Sequence, residues 1–341
     1  MVRVLEVTPI GMVTGEDSVN RTGSGFGVYA TDLGIVWENR PGEVLIAFGD
    51  SYGREWGGNG AGPAHADWRC NFVARSTSTD LDHGLTLEPL ARRPDGAAAQ
   101  AIDRADDRDH ENTVIPTSGI AVDGVNYLSY MSVQSWGEPG HWQTGHAGIA
   151  VSRDNGASWH KPDTARWPNT RKRLGVFDRP RDHPFQIASF ARDTTHVYLF
   201  GTPAGRFGSA SLARVSPDQV LDADAYEYWT GSDWAPGDPF VSVPVIPGPV
   251  GELSVRFNEF TGSWLALHLD EHRAAIVLRS APNVGGPWSE GIPIVHGSQF
   301  PGLYGGYLHP WTTADPVVYF TMSQWGPYNV SLFRAVLATG W

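Results

Sequence analysis

The stretch Gly148-Ile-Ala-Val-Ser-Arg153 is one copy of a short apolar segment that recurs along the chain and closes near an arginine. The closing arginines are separated by 78, 61, 65 and 55 residues. Such regular recurrence of short apolar runs, without a helical period, is typical of proteins built from a series of similar β-sheets. The five copies are Asn71–Arg75, Gly148–Arg153, Ser211–Arg214, Ala275–Arg279 and Ser331–Arg334.

Two further apolar segments precede each copy, and turns rich in Gly, Pro, Asn and Asp separate them. The nearer set is 44–48, 125–131, 196–200, 263–269 and 317–322, and the farther set is 33–37, 113–122, 185–191, 252–257 and 304–311. Five units of three strands, with an outer fourth strand in most, predict an all-β, five-bladed β-propeller. We expect one domain over 1–341, with blades at about 24–95, 111–165, 183–235, 251–295 and 303–338.

The segment after the second copy, Ser152-Arg-Asp-Asn-Gly-Ala-Ser-Trp159, matches the Asp-box pattern Ser-x-Asp-x-Gly-x-x-Trp. This box forms a tight hairpin at the outer edge of propeller blades, where its tryptophan pins the hairpin to the sheet. We therefore expect Asp154 to have a structural role and not a chemical one. The box supports the fold prediction and does not identify a function.

Composition excludes several classes of function. The chain has 341 residues, with 25 Lys and Arg against 37 Asp and Glu, a balance unlike that of nucleic-acid-binding proteins. No segment approaches the roughly 18 apolar residues of a membrane span. No Walker loop, zinc-ligand spacing, nucleophile elbow or dinucleotide fingerprint is present, so neither a cofactor nor a metal is expected. The single Cys70 is expected to be a packed thiol.

Two aspartates stand at the open end of a predicted hairpin in the first unit. Its strands are 31–37 and 44–50, and a turn centred on residue 41 places Asp32 directly opposite Asp50. Opposed side chains have Cβ atoms about 4.5–5.5 Å apart, so the charge of one carboxylate raises the pKa of the other. Paired carboxylates of this kind perform glycoside hydrolysis. We expect both to be catalytic, and the alternative is a pair of turn-capping residues.

Two inner strands carry further polar candidates. Glu252 opens the fourth unit and is a third possible catalytic carboxylate. Arg256 lies on the same face four residues later, where it could pair with Glu252, bind sugar hydroxyls or form a simple structural ion pair. His309, in the fifth unit, could hold a carboxylate, a metal or water, or be hydrogen-bonded in place.

Tryptophans in Gly-rich or polar loops suggest a carbohydrate groove, because aromatic rings stack on the apolar faces of sugars. We expect at least two of these tryptophans to line the cleft that contains Asp32; the alternative is that each fills a wedge between blades. They are Trp56, Trp68, Trp136, Trp142 and Trp325. The residues expected to bind substrate are Arg69, Asn71, Trp136, Trp142, Arg256, Tyr304, His309 and Trp325.

Several stretches together carry a family resemblance: Thr31–Gly34, Phe48–Ser51, Val114–Ile120, Tyr130–Val133, Phe200–Pro203, Tyr226–Gly231, Gly251–Ser254 and Trp325–Asn329. With these stretches the chain resembles an actinobacterial and phage family, long catalogued as a domain of unknown function, that contains endo-D-arabinanases. The resemblance covers roughly residues 15–338. It implies a five-bladed propeller that cleaves α-linked D-arabinofuranose chains of the actinobacterial cell wall. It also implies that Asp32 and Asp50 are catalytic, in agreement with the hairpin argument.

The sequence therefore predicts an arabinan-cleaving glycoside hydrolase whose partner is a polysaccharide. The spacing of the two aspartates leaves retention and inversion open, and the oligomeric state is also open. A glycan-binding propeller, such as a phage tail or virion component, is the main alternative. A sialidase-like enzyme is disfavoured, because sialidases use six blades and an arginine cluster. The N-terminus shows no apolar signal region, so action on the extracellular wall would follow lysis or virion association.

Overall fold

The apolar runs of the sequence form antiparallel strands in a computed structural model that describes residues 2–63, 65–105, 111–173, 175, 180–311 and 313–340. The chain begins with β1 (Val2–Met12) and a short helix, α1 (Thr22–Phe26). Blade 1 follows and consists of β2 (Ala30–Arg40), β3 (Glu43–Tyr52), β4 (Phe72–Ser76) and β5 (Glu88–Pro89). Blade 2 consists of β6 (Thr113–Val122), β7 (Val125–Trp136), β8 (Trp142–Ser152) and β9 (Arg166–Pro168).

The second half of the chain forms three more sheets after a small two-stranded ribbon, β10 (Arg171–Lys172) and β11 (Arg181–Asp182). Blade 3 is β12 (Ile187–Arg192), β13 (Val197–Thr202), β14 (Ala210–Val215), β15 (Glu227–Trp229), β16 (Trp234–Pro236) and β17 (Pro244–Ile246). Blade 4 is β18 (Leu253–Asn258), β19 (Ser263–Asp270), β20 (Ala275–Ala281) and β21 (Ile292–His296). Blade 5 contains β22 (Leu303–Leu308), β23 (Val317–Gln324) and β24 (Asn329–Thr339). Short 3₁₀ turns cover Leu81–His83, Pro217–Gln219, Ala223–Ala225 and Pro239–Val241.

The first strand of each blade faces the centre of a closed ring. Strand β2 contacts β6, β6 contacts β12, β12 contacts β18, β18 contacts β22, and β22 contacts β2 again. The predicted five-bladed β-propeller is therefore confirmed. Because the inner strands all run in the same direction, their first residues meet at one end of the ring, which we call the axial mouth.

The N-terminal strand closes the ring, a feature that the repeat did not reveal. Strand β1 is the outer strand of blade 5 and pairs with β24, joining Val2 to Thr339 and Met12 to Ser331. The closure continues beyond the strand, since Val13 N–H donates to the carbonyl of Val330. Both ends of the chain are thus held in the same sheet.

The arginine-ended segments occupy equivalent positions, as predicted. They form or end β4, β8, β14, β20 and β24, each the third strand from the centre of its blade. Two of the arginines pair with the neighbouring outer strand: Arg75 with Glu88, and Arg214 with Glu227. These arginines therefore stabilise the outer part of the blades and do not reach the axial mouth.

The Asp box forms the predicted hairpin at the outer edge of blade 2. Asp154 accepts hydrogen bonds from the hydroxyl of Ser152 and from the backbone N–H and hydroxyl of Ser158. Gly156 adopts a positive φ of 86°, and a side chain there would collide with Leu45 of blade 1. The Trp159 ring meets Trp37 of blade 1 edge to face at 6.3 Å. The box joins two blades, and its role is structural.

Core packing accounts for the single cysteine and for much of the aromatic content. Cys70 is a free, fully buried thiol, as expected. The rings of Phe48 and Phe72 stack at 4.5 Å within blade 1, and those of Phe320 and Phe333 stack at 5.3 Å within blade 5. In the described part of the chain, no helix has the length and apolar character needed to cross a membrane.

Candidate active site

The two predicted aspartates lie on either side of an irregularity in the first hairpin. The register expected for a turn at residue 41 is found at Thr31–Ser51 and again from Ile35–Ala47 onward. Between these pairs the ladder shifts, and Leu33 pairs with Phe48. Asp32 and Asp50 consequently lie beside this bulge and do not form the regular opposed pair that was predicted. Positive φ angles at Leu33 (72°) and Gly34 (77°) produce the kink.

Asp32 is buried at the axial mouth, and its two carboxyl oxygens differ in their hydrogen bonding. The hydroxyl of Tyr304, on the inner strand of blade 5, donates to Oδ2 at 2.9 Å. Oδ1 is buried and has no hydrogen-bond partner among the described residues. Burial raises the pKa of Asp32 to about 7, the charge of Asp50 adds to the rise, and bonds from Tyr304 and Tyr328 oppose it. Asp32 can therefore keep its proton near neutral pH.

Asp50 is equally buried but is bonded differently. Its Oδ1 accepts hydrogen bonds from the hydroxyl of Thr113, at the start of blade 2, and from the indole N–H of Trp68, at 2.7 and 3.0 Å. Burial raises the pKa of Asp50 to about 6, and the two hydrogen bonds oppose the rise. Two donors stabilise the ionised form of Asp50 at Oδ1, whereas Asp32 Oδ1 has no donor among the described residues, so Asp50 is the group that ionises first.

Gly49 makes room for the Asp32 carboxyl group. A Cβ atom at position 49 would overlap Asp32 Oδ1 and would come within 3.1 Å of the Leu33 side chain. The backbone of β3 therefore forms one wall of the space around the unbonded oxygen. Any larger residue at this position would displace the carboxyl group.

Glu252 faces the same mouth from the start of blade 4. It does not pair with Arg256, although one interpretation of the sequence predicted that pair. Its Oε1 accepts hydrogen bonds from Nε and Nη2 of Arg206 at 2.9 and 2.7 Å. Its charge is one of the factors that raise the pKa of Asp32, after burial and Asp50. Arg256 instead donates to the backbone carbonyls of Val36 and Leu308.

Aromatic side chains surround the carboxylates on two sides. On the blade 1 side, Trp56 and Trp68 pack against a cluster that includes Tyr52 and Tyr328, and Trp325 meets Tyr328 at 5.6 Å. On the opposite side, the rings of Trp136 and Trp142 meet at 5.7 Å, and Arg206 lies over Trp142 at 5.8 Å. Trp136 and Trp325 are 52% and 51% exposed, so their faces are free for a ligand.

Two cavities lie away from the aspartates. One, of about 600 Å³, lies between the 23–29, 53–55, 65–67 and 92–97 segments. Another, of about 510 Å³, lies at the opposite end of the ring near the turns of the inner hairpins. Neither is lined by Asp32, Asp50 or Glu252. The candidate active site is identified by the chemistry of its residues. In the described ranges, no cluster of three or more His, Cys, Asp or Glu side chains could hold a metal ion.

Comparison with known proteins identifies the family. The family described as Domain of unknown function (DUF4185) matches residues 17–334. The chain belongs to this family. Notoamide biosynthesis cluster protein J of Aspergillus sp. (strain MF297-2) is 32% identical, over 91% of this chain and 83% of its own length. Notoamide biosynthesis cluster protein J' of Aspergillus versicolor is 31% identical, over 93% and 86%.

Solved structures show that the DUF4185 chain shares its fold with other propellers. A family 117 glycoside hydrolase from Zobellia galactanivorans has a TM-score of 0.56 at 13% identity, with 97% of this chain and 90% of that chain covered. The GH43_1 enzyme from Xanthomonas citri, complexed with xylotriose, has a TM-score of 0.55 at 12% identity, covering 99% and 92%. At these identities the likeness extends to the fold alone.

Two residues of the DUF4185 chain that were expected to bind substrate form hydrogen bonds within the protein instead. Arg69 donates to the carbonyls of Gly27 and Ala98 and pairs with Asp67 at 2.8 Å. Asn71 uses its amide nitrogen and oxygen to hold backbone groups of two segments, at Ala101–Ile102 and at Val114. The structure therefore gives both residues an anchoring function.

His309 is also buried, away from the carboxylates. Its backbone N–H donates to the carbonyl of Tyr319, and Nδ1 accepts from the backbone N–H of Trp311 at 3.4 Å. Burial and the nearby Arg256 lower the pKa of His309 to about 3, which keeps the ring neutral. Its Nε2 is buried without a partner among the described residues, and the structure does not bring it to Asp32 or Glu252.

Two further residues at the mouth were not predicted from the sequence. Arg206 lies in the Gly205-Arg-Phe-Gly208 loop, outside any strand period, and nothing in the sequence links it to Glu252 46 positions later. Tyr328 follows the exposed Trp325 in a stretch that was noted only for its family resemblance. The signal that could have identified Tyr328 was its position close to Trp325, which was expected to bind substrate.

Proposed function

We propose that this chain is a glycoside hydrolase that cleaves α-linked D-arabinofuranose chains. One observation carries the proposal: two buried carboxyl groups with raised pKa values lie at one mouth of a propeller, and Oδ1 of Asp50 accepts two hydrogen bonds while Oδ1 of Asp32 accepts none from the described residues. Glycoside hydrolysis requires one carboxyl group that gives a proton and another that is ionised. The shared fold with the family 117 hydrolase and the xylotriose-bound GH43_1 enzyme supports a glycan substrate.

The surroundings of each aspartate suggest its part in the reaction. Asp32, which keeps its proton at the higher pH, donates it from the unbonded Oδ1 to the glycosidic oxygen, and the bond from that oxygen to the anomeric carbon breaks. Ionised Asp50 either removes a proton from an attacking water or attacks the anomeric carbon itself, after which water releases the sugar. In both routes one water molecule is consumed and its elements are divided between the two fragments.

A neutral sugar chain fits the charges at the mouth. The carboxylates and the hydroxyls of Tyr304 and Tyr328 can bond sugar hydroxyls, and the exposed Trp136 and Trp325 can stack on sugar faces. Arg206, a cation that reaches this cluster, is already paired with Glu252 and Glu271. This favours a neutral glycan over a sialic acid, whose carboxylate needs free arginines. We further propose that the substrate is the arabinan of actinobacterial cell walls, reached outside the cell after lysis or from a virion.

A second candidate is a glycan-binding propeller without activity. It is favoured by the internal bonds of Asp50, whose Oδ1 already accepts from Thr113 and Trp68. A binding protein needs the carboxylates only as hydrogen-bond acceptors, whereas the hydrolase needs one of them as a proton donor.

The test is incubation with purified actinobacterial arabinogalactan, followed by sizing of the released oligosaccharides. Wild-type protein should release fragments, and Asp50→Asn should release at least about a hundredfold less, since a positioned acid or base contributes that much. Plant α-L-arabinan and xylan serve as substrate controls. Binding of the polymer without release of any fragment would support the second candidate, and absence of both would refute a role on arabinan.

A further inference from the structure

The loop that carries Arg206 is fixed on both sides by other blades. It connects β13 to β14, and the backbone N–H of Arg206 donates to the carbonyl of Gly140 in the blade 2 loop at 2.9 Å. The carbonyl of Gly208 accepts from the N–H of Val250, just before blade 4. Gly205 has a φ of 90°, and a side chain there would press on the Gly140 carbonyl. Arg206 is therefore held in a defined place between blades 2 and 4.

The Arg206 guanidinium connects Glu252 to the residues around Asp32. Two of its nitrogens bond the same oxygen, Glu252 Oε1, and the third bonds Glu271 at 3.2 Å. The guanidinium also lies 4.8 Å from the centre of the Tyr304 ring, whose hydroxyl bonds Asp32. Planar guanidinium groups hold carboxylates in a fixed orientation. Glu252 is thus oriented by Arg206 beside the proposed acid.

Two buried polar atoms next to Arg206 have no partner among the described residues. Glu252 Oε2 is an acceptor and Trp142 Nε1 is a donor, and both are almost without solvent contact. Buried polar atoms are nearly always paired, so each unpaired one needs an explanation. A sugar hydroxyl can donate one hydrogen bond and accept another. A sugar hydroxyl can therefore donate to an acceptor such as Glu252 Oε2 and accept from a donor such as Trp142 Nε1.

We propose that Arg206 is a positioning residue that presents Glu252 Oε2 as the acceptor for a sugar hydroxyl bound next to the Asp32–Asp50 pair. The inference rests on the proposed function and deepens it, because it assigns Glu252 to substrate binding and not to acid–base catalysis. The neighbouring Phe207 is 40% exposed and stacks on His141 at 4.6 Å. It extends the subsite away from the aspartates and gives the sugar an aromatic face.

The test measures binding without requiring turnover. In an Asp50→Asn background, affinity for an arabinofuranose oligosaccharide is measured by calorimetry for Glu252→Gln, Arg206→Met and Arg206→Lys. Loss of a hydrogen bond to a charged group weakens affinity by about tenfold or more. Arg214→Gln is the matched control, because it breaks an Arg–Glu pair of the same 2.7 Å length at the rim of the same blade. It should leave affinity unchanged, and melting curves verify that each variant is folded.

Kinetics in the active enzyme separate binding from chemistry. Glu252→Gln should raise KM about tenfold and change kcat by less than about threefold. The charges of Glu252 and Asp50 raise the pKa of Asp32, and the hydroxyls of Tyr304 and Tyr328 oppose that rise. Glu252→Gln removes one of these charges, so it should also move the alkaline limb of the pH profile to lower pH. A hundredfold fall in kcat at unchanged KM, or unchanged affinity in all three variants, would overturn the inference. Absence of any binding by the Asp50→Asn parent and of cleavage by wild type would instead refute the proposed function.

Discussion

Replacing Asp32 by asparagine should abolish activity and yet stabilise the fold at alkaline pH. The carboxyl group of Asp32 is buried, and its pKa lies near 7 in the folded protein against an ordinary 3.8. As pH rises from about 4 to 7, the unfolded chain releases this proton while the folded chain retains it. Folding stability from this residue is therefore fully present below pH 4 and is lost as pH rises through 7. Asparagine never ionises and removes this loss.

The magnitude follows from the two pKa values. The difference between 3.8 and about 7 corresponds to about 4 kcal/mol of stability lost by pH 8. The bond from Tyr304 is already included in this difference, because it is one of the factors that set the pKa of Asp32 in the folded protein. The net effect at pH 8 is therefore about 4 kcal/mol in favour of the variant. With roughly 2 cal/mol/K of unfolding entropy per residue, this raises Tm by about 6 °C.

The assay is differential scanning calorimetry of wild type and Asp32→Asn at pH 4.5 and pH 8, together with arabinan cleavage. We expect the variant to gain about 6 °C at pH 8 and only about 1 °C at pH 4.5, where ionisation of the unfolded chain has only begun to lower the stability of wild type. Activity should fall at least about a hundredfold. The control is Asp163→Asn, which alters a highly exposed aspartate paired with Arg166 and should give no such pH dependence. An equal loss of Tm at both pH values would refute the burial argument.

Four further outcomes are expected. The kcat/KM profile should be a narrow bell with limbs near pH 6 and 7, from Asp50 and Asp32, and a flat profile from pH 5 to 8 would contradict their roles. Trp325→Ala should raise KM about three- to tenfold at unchanged Tm, which steady-state kinetics and melting will check. Asp154→Ala should lower stability by about 1–3 kcal/mol in urea unfolding without changing kcat, since its bonds only shape the Asp box. Deletion of residues 2–12 should lower both Tm and activity, and full activity in the truncated chain would show that closure by β1 is dispensable.

Local patterns in the sequence were sufficient to predict the fold. Each blade repeats the same order of strands, and two of the arginines that close the third strands, Arg75 and Arg214, pair with a glutamate of the outer neighbour. Strand β1 escaped prediction for a different reason. Its partner β24 lies more than 300 residues away, and no local signal specifies a pairing at that separation.

The candidate site was predictable only where the chemistry lay within one hairpin. Asp32 and Asp50 could be related through a turn, although the bulge at Leu33 altered their register. Arg69 and Asn71 were expected from the sequence to bind substrate. In the structure their polar groups form hydrogen bonds that hold loops, and these bonds can be seen only in the folded chain. Arg206 was missed for the converse reason, since its partner belongs to another blade.

Closure of the ring and the chemistry of Asp32 depend on the same contacts. Strand β1 leads into Val13 and Thr14, which bond the backbone of Val330 and the side chain of Asn329. The neighbouring Tyr328 is held by its carbonyl, which accepts from the N–H of Thr31 at 2.8 Å. The hydroxyls that oppose the high pKa of Asp32 thus come from the last blade, and that blade is completed by the first strand. A chain that closes poorly would let water reach Asp32, lower its pKa and lose the proton donor before it loses the fold.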